Sequence, residues 1–243
     1  MTYNYTDISL LEYPGEVSLV FYTGSCTCRC PWCFNKELLN KKPLSFKQMK
    51  DAINEHIDFI SAVVFNGGDP VLNPFLIKII NYSKSKGLKI KINTNGLVYE
   101  KTRKNIFIPY VDYINVSLKG NDDDYKQVLK LSKVEPIILN CDTLEYSFVY
   151  SPTLYPMKKI VNFHTFLKGK ISFDWRTMFY DRYSQPDIFT INQMQTGNCL
   201  NPQYNFCKTP TKKQCVEVAK IFSDIPKKKL IVETKEFGRE TII

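Results

Sequence analysis

Apolar positions along the chain keep two rhythms. Val17–Tyr22 and Ala62–Phe65 are short runs rich in β-branched and aromatic residues, the mark of buried strands. Leu88-Lys-Ile-Lys-Ile92 alternates, as a strand with one polar face does. Between these runs Phe46, Met49, Ala52, Ile53, Ile57 and Ile60 recur at steps of three and four, which predicts a helix entered through Ser45 as N-cap. Leu76, Ile77 and Ile80 mark the face of a second helix, capped by Asn73, opened by Pro74 and stopped by Gly87.

The alternation continues with a short helix near Lys101–Ile106, a strand at Tyr113–Ser117 and a helix from after Asn121 through Leu131. Strands are predicted near Ile137–Leu139 and Tyr146–Tyr150, then a helix over Pro156–Leu167 and strands at Lys170–Trp175 and Phe189–Gln193. Thr209 or Thr211 begins the helix Lys212–Phe222, and Leu230–Val232 is a last strand. Strands and helices in turn, without a long linker, imply one α/β domain over residues 1–243 built on a parallel sheet. Loops that follow the strands would then gather at one rim, where such folds keep their chemistry.

Composition narrows the classes. The hydrophobic share of 44% is that of a globular protein, and no apolar run approaches the ~20 residues of a membrane span. The opening residues carry neither the basic nor the apolar part of a secretory signal, so a cytoplasmic location is expected. The net charge of +9 is spread over scattered lysines with no basic stripe interleaved with aromatics, which favours a solvated basic surface over a nucleic-acid footprint; an acidic protein partner would also suit it. Eight cysteines in such a chain point to metal ligation or thiol chemistry rather than disulfides.

Three of them, Cys26, Cys30 and Cys33, stand in the spacing C-x3-C-x2-C directly after the first strand. Three thiolates can hold three irons of a cubane cluster and leave the fourth corner open to a substrate or cofactor. Zinc is the chief rival, since Cys30-Pro-Trp-Cys33 is a CxxC, but it needs a fourth ligand, and His56 and His164 lie far off on helical segments. A thioredoxin-like redox pair is a further rival. Cys28 reads as a spare exposed thiol and Cys215 as part of a helix core, while Cys141, Cys199 and Cys207 lack ligand spacing, though an auxiliary cluster drawn from these late cysteines stays open. Gly67-Gly68-Asp69-Pro70 follows the second strand, Asn93-Thr94-Asn95-Gly96 the third and Lys119 the fourth, so all four motifs are expected on one rim.

The cysteine loop resembles that of the radical S-adenosylmethionine superfamily. The resemblance implies a partial (β/α)6-type, TIM-like barrel and a [4Fe–4S] cluster on Cys26, Cys30 and Cys33. It also implies S-adenosylmethionine chelating the fourth iron and cleaved to a 5′-deoxyadenosyl radical. Trp32 would contact the adenine side, and Gly67, Gly68 and Asp69 correspond to the family's Gly-Gly-Glu-Pro motif at the methionine amine. The flanks Ile8–Gly15 and Cys33–Leu38 are similar to glycyl-radical-enzyme activases, in particular that of anaerobic ribonucleotide reductase. They carry over Asn35, Asn93, Thr94, Asn95 and Lys119 as cofactor-side residues, Lys119 for the carboxylate. Phe34 replaces the usual His, and Asn93 and Ser117 replace two Asp residues, which argues against a bound monovalent cation. The likeness is most specific over residues 8–120; beyond it, Arg176 and Gln193 are candidates for the rim. Implied partners are a glycyl radical enzyme and a low-potential electron donor such as flavodoxin or ferredoxin. Other readings are a radical enzyme acting on a small molecule or nucleobase, and a non-catalytic iron–sulfur or zinc protein.

Overall fold

The computed structural model describes residues 6–99, 110–128, 134–136, 141–172, 186–225 and 227–243. In chain order the strands are β1 (Thr6–Ser9), β2 (Ser18–Thr23), β3 (Ala62–Gly67), β4 (Lys89–Thr94), β5 (Leu97–Tyr99) and β6 (Val111–Leu118). They continue with β7 (Val134–Pro136), β8 (Cys141–Tyr150), β9 (Ile188–Gln193), β10 (Lys229–Thr234) and β11 (Gly238–Thr241). The helices are α1 (Phe46–His56), α2 (Leu76–Ser85), α3 (Asp122–Val128), α4 (Met157–Ser172) and α5 (Lys212–Ile221).

A single nine-stranded sheet runs β1-β2-β3-β4-β6-β8-β9-β10-β11, so spatial order follows chain order. All pairs from β2 to β10 are parallel, and β1 and β11 close the two edges antiparallel. Parallel strands added always on the same side, each through a right-handed crossover, put every helix on one face and curl the sheet. This is the α/β, partly closed barrel that the alternation and the resemblance implied. β5 and β7 form a separate two-stranded ribbon.

The outer face is apolar. Phe21, Phe65, Ile92, Ile114 and Leu144 lie in one register line across five strands and are fully or almost fully buried. They share a core with Met49 and Ile53 of α1 and Ile79 and Ile80 of α2. Farther along, Phe163 of α4 sits 4.8 Å from Phe148 and 5.7 Å from Phe222, ring to ring, and Phe222 stacks on Phe189 at 5.0 Å. The inner face mixes polar side chains with a small apolar cluster of Tyr13, Val20, Ala62, Val64 and Tyr113. Glu145 is buried there but satisfied: Tyr113 Oη donates to it at 2.7 Å, Arg239 at 2.7 Å, and Thr190 Oγ1 also donates. A buried carboxylate is tolerable only when paired in this way.

Most helix starts follow from local chemistry. Ser45 and Gln48 form a capping box at α1, and Thr211 with Gln214 forms another at α5, which decides between Thr209 and Thr211. Asn73 caps a turn rather than the helix: its side chain accepts from the Phe75 amide, and α2 starts at Leu76. The strand predicted at Lys170–Trp175 is corrected, because α4 runs on to Ser172. Gly169 costs a helix only about 1 kcal/mol, too little to stop one already packed through Ile160, Phe163 and Leu167. The elements predicted at 101–106 and 137–139, and the end of the helix expected at Leu131, lie outside the described residues. Among the described residues no helix is long and apolar enough to cross a membrane.

Candidate active site at the C-terminal rim

The loop after β2 carries the cysteines. Cys26 and Cys30 are buried and Cys33 half-buried. The loop is fastened from several sides. The Arg29 guanidinium donates to the carbonyls of Cys26 (2.7 Å) and Cys28 (2.9 Å), and the Arg29 amide donates to Val128 of α3. From the second half of the chain, the amides of Leu200 and Asn201 donate to the carbonyls of Cys33 and Pro31 at 3.0 and 2.8 Å. Lys36 Nζ donates to the Cys199 carbonyl.

Cys28 corrects an expectation. It is only 2% exposed and sits in the core beside Cys26 and Cys30 instead of facing solvent, its amide donating to Cys26 Sγ at 3.4 Å. The hydrogen bond from Cys28 pulls the thiols of Cys26 and Cys30 down to about 7, against the opposing effect of burial and with help from Lys119. Cys28 itself is pushed far above the ordinary thiol range, and burial pushes Cys33 up to about 11. Burial presses the pKa of Lys119 down, but the thiols of Cys30, Cys28, Cys26 and Cys33 more than offset it, and the net shift is upward. Lys119 Nζ also donates to Ser117 Oγ at 2.7 Å.

The glycine motif is stitched to this loop. The Gly68 amide donates to Thr23 O at 2.9 Å and the Asp69 amide to Ser25 O at 2.7 Å. A Cβ on Gly68 would lie 2.0 Å from Ser25 O, and one on Gly67, at φ +109°, 2.5 Å from Thr23 O. These glycines are required by loop-on-loop contact, whatever ligand they also approach. Asp69 is wholly buried and its carboxylate is spent inside the protein. It accepts from Thr94 Oγ1 (2.8 Å), the Asn95 amide (2.9 Å) and the Val71 amide (3.3 Å). Burial, then the charge of Cys26, raises its pKa to about 7.

The third motif completes the ring of loops. Asn95 Nδ2 donates to Cys26 Sγ at 3.4 Å and to Thr27 Oγ1 at 3.0 Å, while its Oδ1 accepts from the Leu97 amide at 2.9 Å. Asn35 Nδ2 donates to the Gly67 carbonyl at 3.2 Å. Trp32 is half-buried, its ring 5.9 Å from Tyr155 and 6.3 Å from Tyr204. Asn93 stands apart on the inner face, where it and Asn66 both donate to Glu12 Oε2 at 3.3 Å. Glu12, Asn66, Thr27 and Tyr155 are rim or inner-face residues that motif reading missed. Only Glu12 had a visible signal, its place in Leu-Glu-Tyr-Pro-Gly.

Of the later candidates, Arg176 lies outside the described residues. Gln193 is committed to the fold, donating to Pro210 O at 2.7 Å and accepting from the Lys235 amide at 2.9 Å. Cys215 is buried in the core face of α5, as expected. Cys141 starts β8, at the end of the sheet away from the rim.

Among the described residues no three His, Cys, Asp or Glu side chains gather tightly enough to hold a single metal ion. A tetrathiolate zinc site needs its sulfurs to converge on a point about 2.3 Å from each. A cubane takes one thiolate per corner, so its ligands surround a volume. The donor set suits that demand in kind: three thiols on one loop, Cys26, Cys30 and Cys33, with the ammonium of Lys119 beside them to offset thiolate charge.

The family model of the radical SAM superfamily matches residues 20–145. A protein of Methanocaldococcus jannaschii named, by inference, as a glycyl-radical enzyme activating enzyme is 33% identical over 129 residues, which cover 51% of this chain and 52% of that one. The GTP 3′,8-cyclase of Lactiplantibacillus plantarum is 28% identical over 124 residues, 48% of this chain and 37% of that one. The chain thus spans about half or less of the length of these relatives. Among solved structures, Streptococcus suis SuiB superimposes with a TM-score of 0.53 at 14% identity, covering 89% of this chain and 48% of SuiB, a likeness of fold. A cysteine loop locked to a glycine loop at the rim of a partial barrel, with a family model spanning that whole region, makes this chain a member of the radical SAM superfamily.

Proposed function

We propose that Cys26, Cys30 and Cys33 hold a [4Fe–4S] cluster, and that the enzyme uses S-adenosylmethionine to generate a glycyl radical on a partner protein. When bound and reduced by a flavodoxin- or ferredoxin-like donor, the cluster supplies the electron that splits the sulfonium into methionine and a 5′-deoxyadenosyl radical. The chain's own part is positioning. Gly67 and Gly68, held against the cysteine loop, present backbone groups for the methionine amine. Lys119 supplies a cation for its carboxylate; Thr94 acts through Asp69, and Asn93, on the inner face, holds Glu12. Trp32 flanks the adenine side, and Asn35 ties its loop to Gly67. Asp69 and Asn95 act one step back, through the loops they join.

The observation that carries this reading is the physical union of the three motif loops around Cys26, within the region of family likeness. The activase assignment rests on the archaeal relative and on the flanking segments, and anaerobic ribonucleotide reductase is the first partner to test. Incubation of the reconstituted protein with that reductase, S-adenosylmethionine and reductant should give a glycyl radical signal in electron paramagnetic resonance. Cleavage of S-adenosylmethionine without that signal would favour the second reading, a small-molecule or nucleobase substrate, for which the likeness to a GTP cyclase speaks.

A further inference from the structure

The Asn95 side chain touches a cysteine sulfur of the loop. Its Nδ2 reaches Cys26 Sγ at 3.4 Å, and a second donor, the Cys28 amide, reaches the same sulfur at 3.4 Å. The carboxamide is not free to turn away. Its Oδ1 accepts from the Leu97 amide (2.9 Å), its own amide donates to Asp69 Oδ2 (2.9 Å), and Thr27 Oγ1 lies 3.0 Å from Nδ2. Asp69 is fastened in turn to Ser25 through its backbone, so the path from the glycine loop back to Cys26 is closed. Both ends of the amide are used and the side chain is buried.

An N–H aimed at a ligand sulfur stabilises negative charge on it. The reduced cluster carries one more electron than the oxidised one, so such a bond favours reduction and raises the potential. It also holds the ligand in its bound rotamer, the usual service of a residue behind a metal ligand. We infer that Asn95 is a positioning residue that sets the reduction potential and the retention of the cluster through its hydrogen bond to Cys26. The inference rests on the reading that Cys26 is a cluster ligand.

Two variants test it. Asn95→Ala removes the whole carboxamide. Asn95→Asp keeps the shape and the acceptor for Leu97, loses both N–H donors and adds a negative charge beside the sulfur, and far-ultraviolet circular dichroism checks that each variant folds. Anaerobic reconstitution, redox titration followed by electron paramagnetic resonance, and iron release to a ferrous chelator are the readouts. Both variants should bind the cluster with a potential below that of the native chain, Asn95→Asp lowest, and release iron about 10–100-fold faster. On the native protein, exchange into deuterium oxide should shift the Fe–S stretching bands, and the shift should shrink in both variants. Native-like potentials and release rates in both variants would overturn the inference while leaving the cluster reading intact. Failure of the native chain to bind any cluster would instead remove the reading on which it rests.

Discussion

The two halves of the chain serve the rim in different ways. In the first, side chains of the motif loops bond to one another: Asp69 to Thr94 and Asn95, Asn95 to Cys26 and Thr27. In the second, most support reaches backbone or ring faces: the Leu200 and Asn201 amides, Asn198 Nδ2 and Tyr155 Oη bond to carbonyls of the cysteine loop and Lys119, and rings pack at Phe148, Phe163, Phe189 and Phe222. Specific side chains are needed where charge and ligands must be placed. Shape alone suffices where a loop must only be braced.

Substitutions can separate the halves. Changing Cys26, Cys30 or Cys33 to Ala should abolish both iron loading and S-adenosylmethionine cleavage while leaving the melting temperature of the metal-free protein little changed. Phe163→Ala should do the reverse, costing about 3–5 kcal/mol in chemical unfolding but leaving the cluster spectrum of the folded fraction intact. Glu145→Gln should cost less, about 1–3 kcal/mol, since half-buried Arg239 keeps Glu233 at 3.5 Å while the bonds to Glu145 are weakened.

Glu145 also gives a pH test. Burial alone would raise its pKa, but Arg239, then Lys91 and the bonds from Thr190 and Tyr113, hold it below the usual glutamate range. A carboxylate so depressed contributes its full stability above the unfolded-state pKa and loses it as pH falls through the folded value. Unfolding midpoints should therefore drop in acid for the native chain and drop less for Glu145→Gln.

Gly68→Ala sits on the boundary of the two effects. Its new Cβ meets Ser25 O at 2.0 Å, so it should cost about 1–3 kcal/mol and also disturb cluster loading, seen as a lowered iron-to-protein ratio. Cys28→Ala should be mildest. It removes one buried sulfur, about 1 kcal/mol, and should retain the cluster and most of the cleavage. If Cys28→Ala lost the cluster as Cys26→Ala does, the division of the loop into ligands and a core thiol would be wrong.

The sequence carried the rim unevenly. The C-x3-C-x2-C spacing is a local constraint and was readable from neighbours alone, as were Ser45–Gln48 and, with closer attention, Thr211–Gln214. The inward turn of Cys28 was not, because position in a loop says nothing of inside and outside until the other loops are laid on it. Asp69 illustrates the same point. Its place in the glycine motif marked it as cofactor-side, yet Thr94 and Asn95 from the next loop, with the Val71 amide of its own turn, claim the carboxylate. The bracing by residues 199–201 uses backbone amides, which leave no trace in residue type. At Lys170–Ser172 a helix already anchored by three buried apolar residues overrode the strand-like pattern.

The central claim is that Cys26, Cys30 and Cys33 form the ligand set for S-adenosylmethionine cleavage. Its most direct test is formation of 5′-deoxyadenosine by the anaerobically reconstituted chain with S-adenosylmethionine and dithionite. The native chain should give 5′-deoxyadenosine and methionine in equal amounts, and Cys30→Ala none. A native chain fully loaded with iron that yields no 5′-deoxyadenosine, or a Cys30→Ala variant that yields as much, would contradict it.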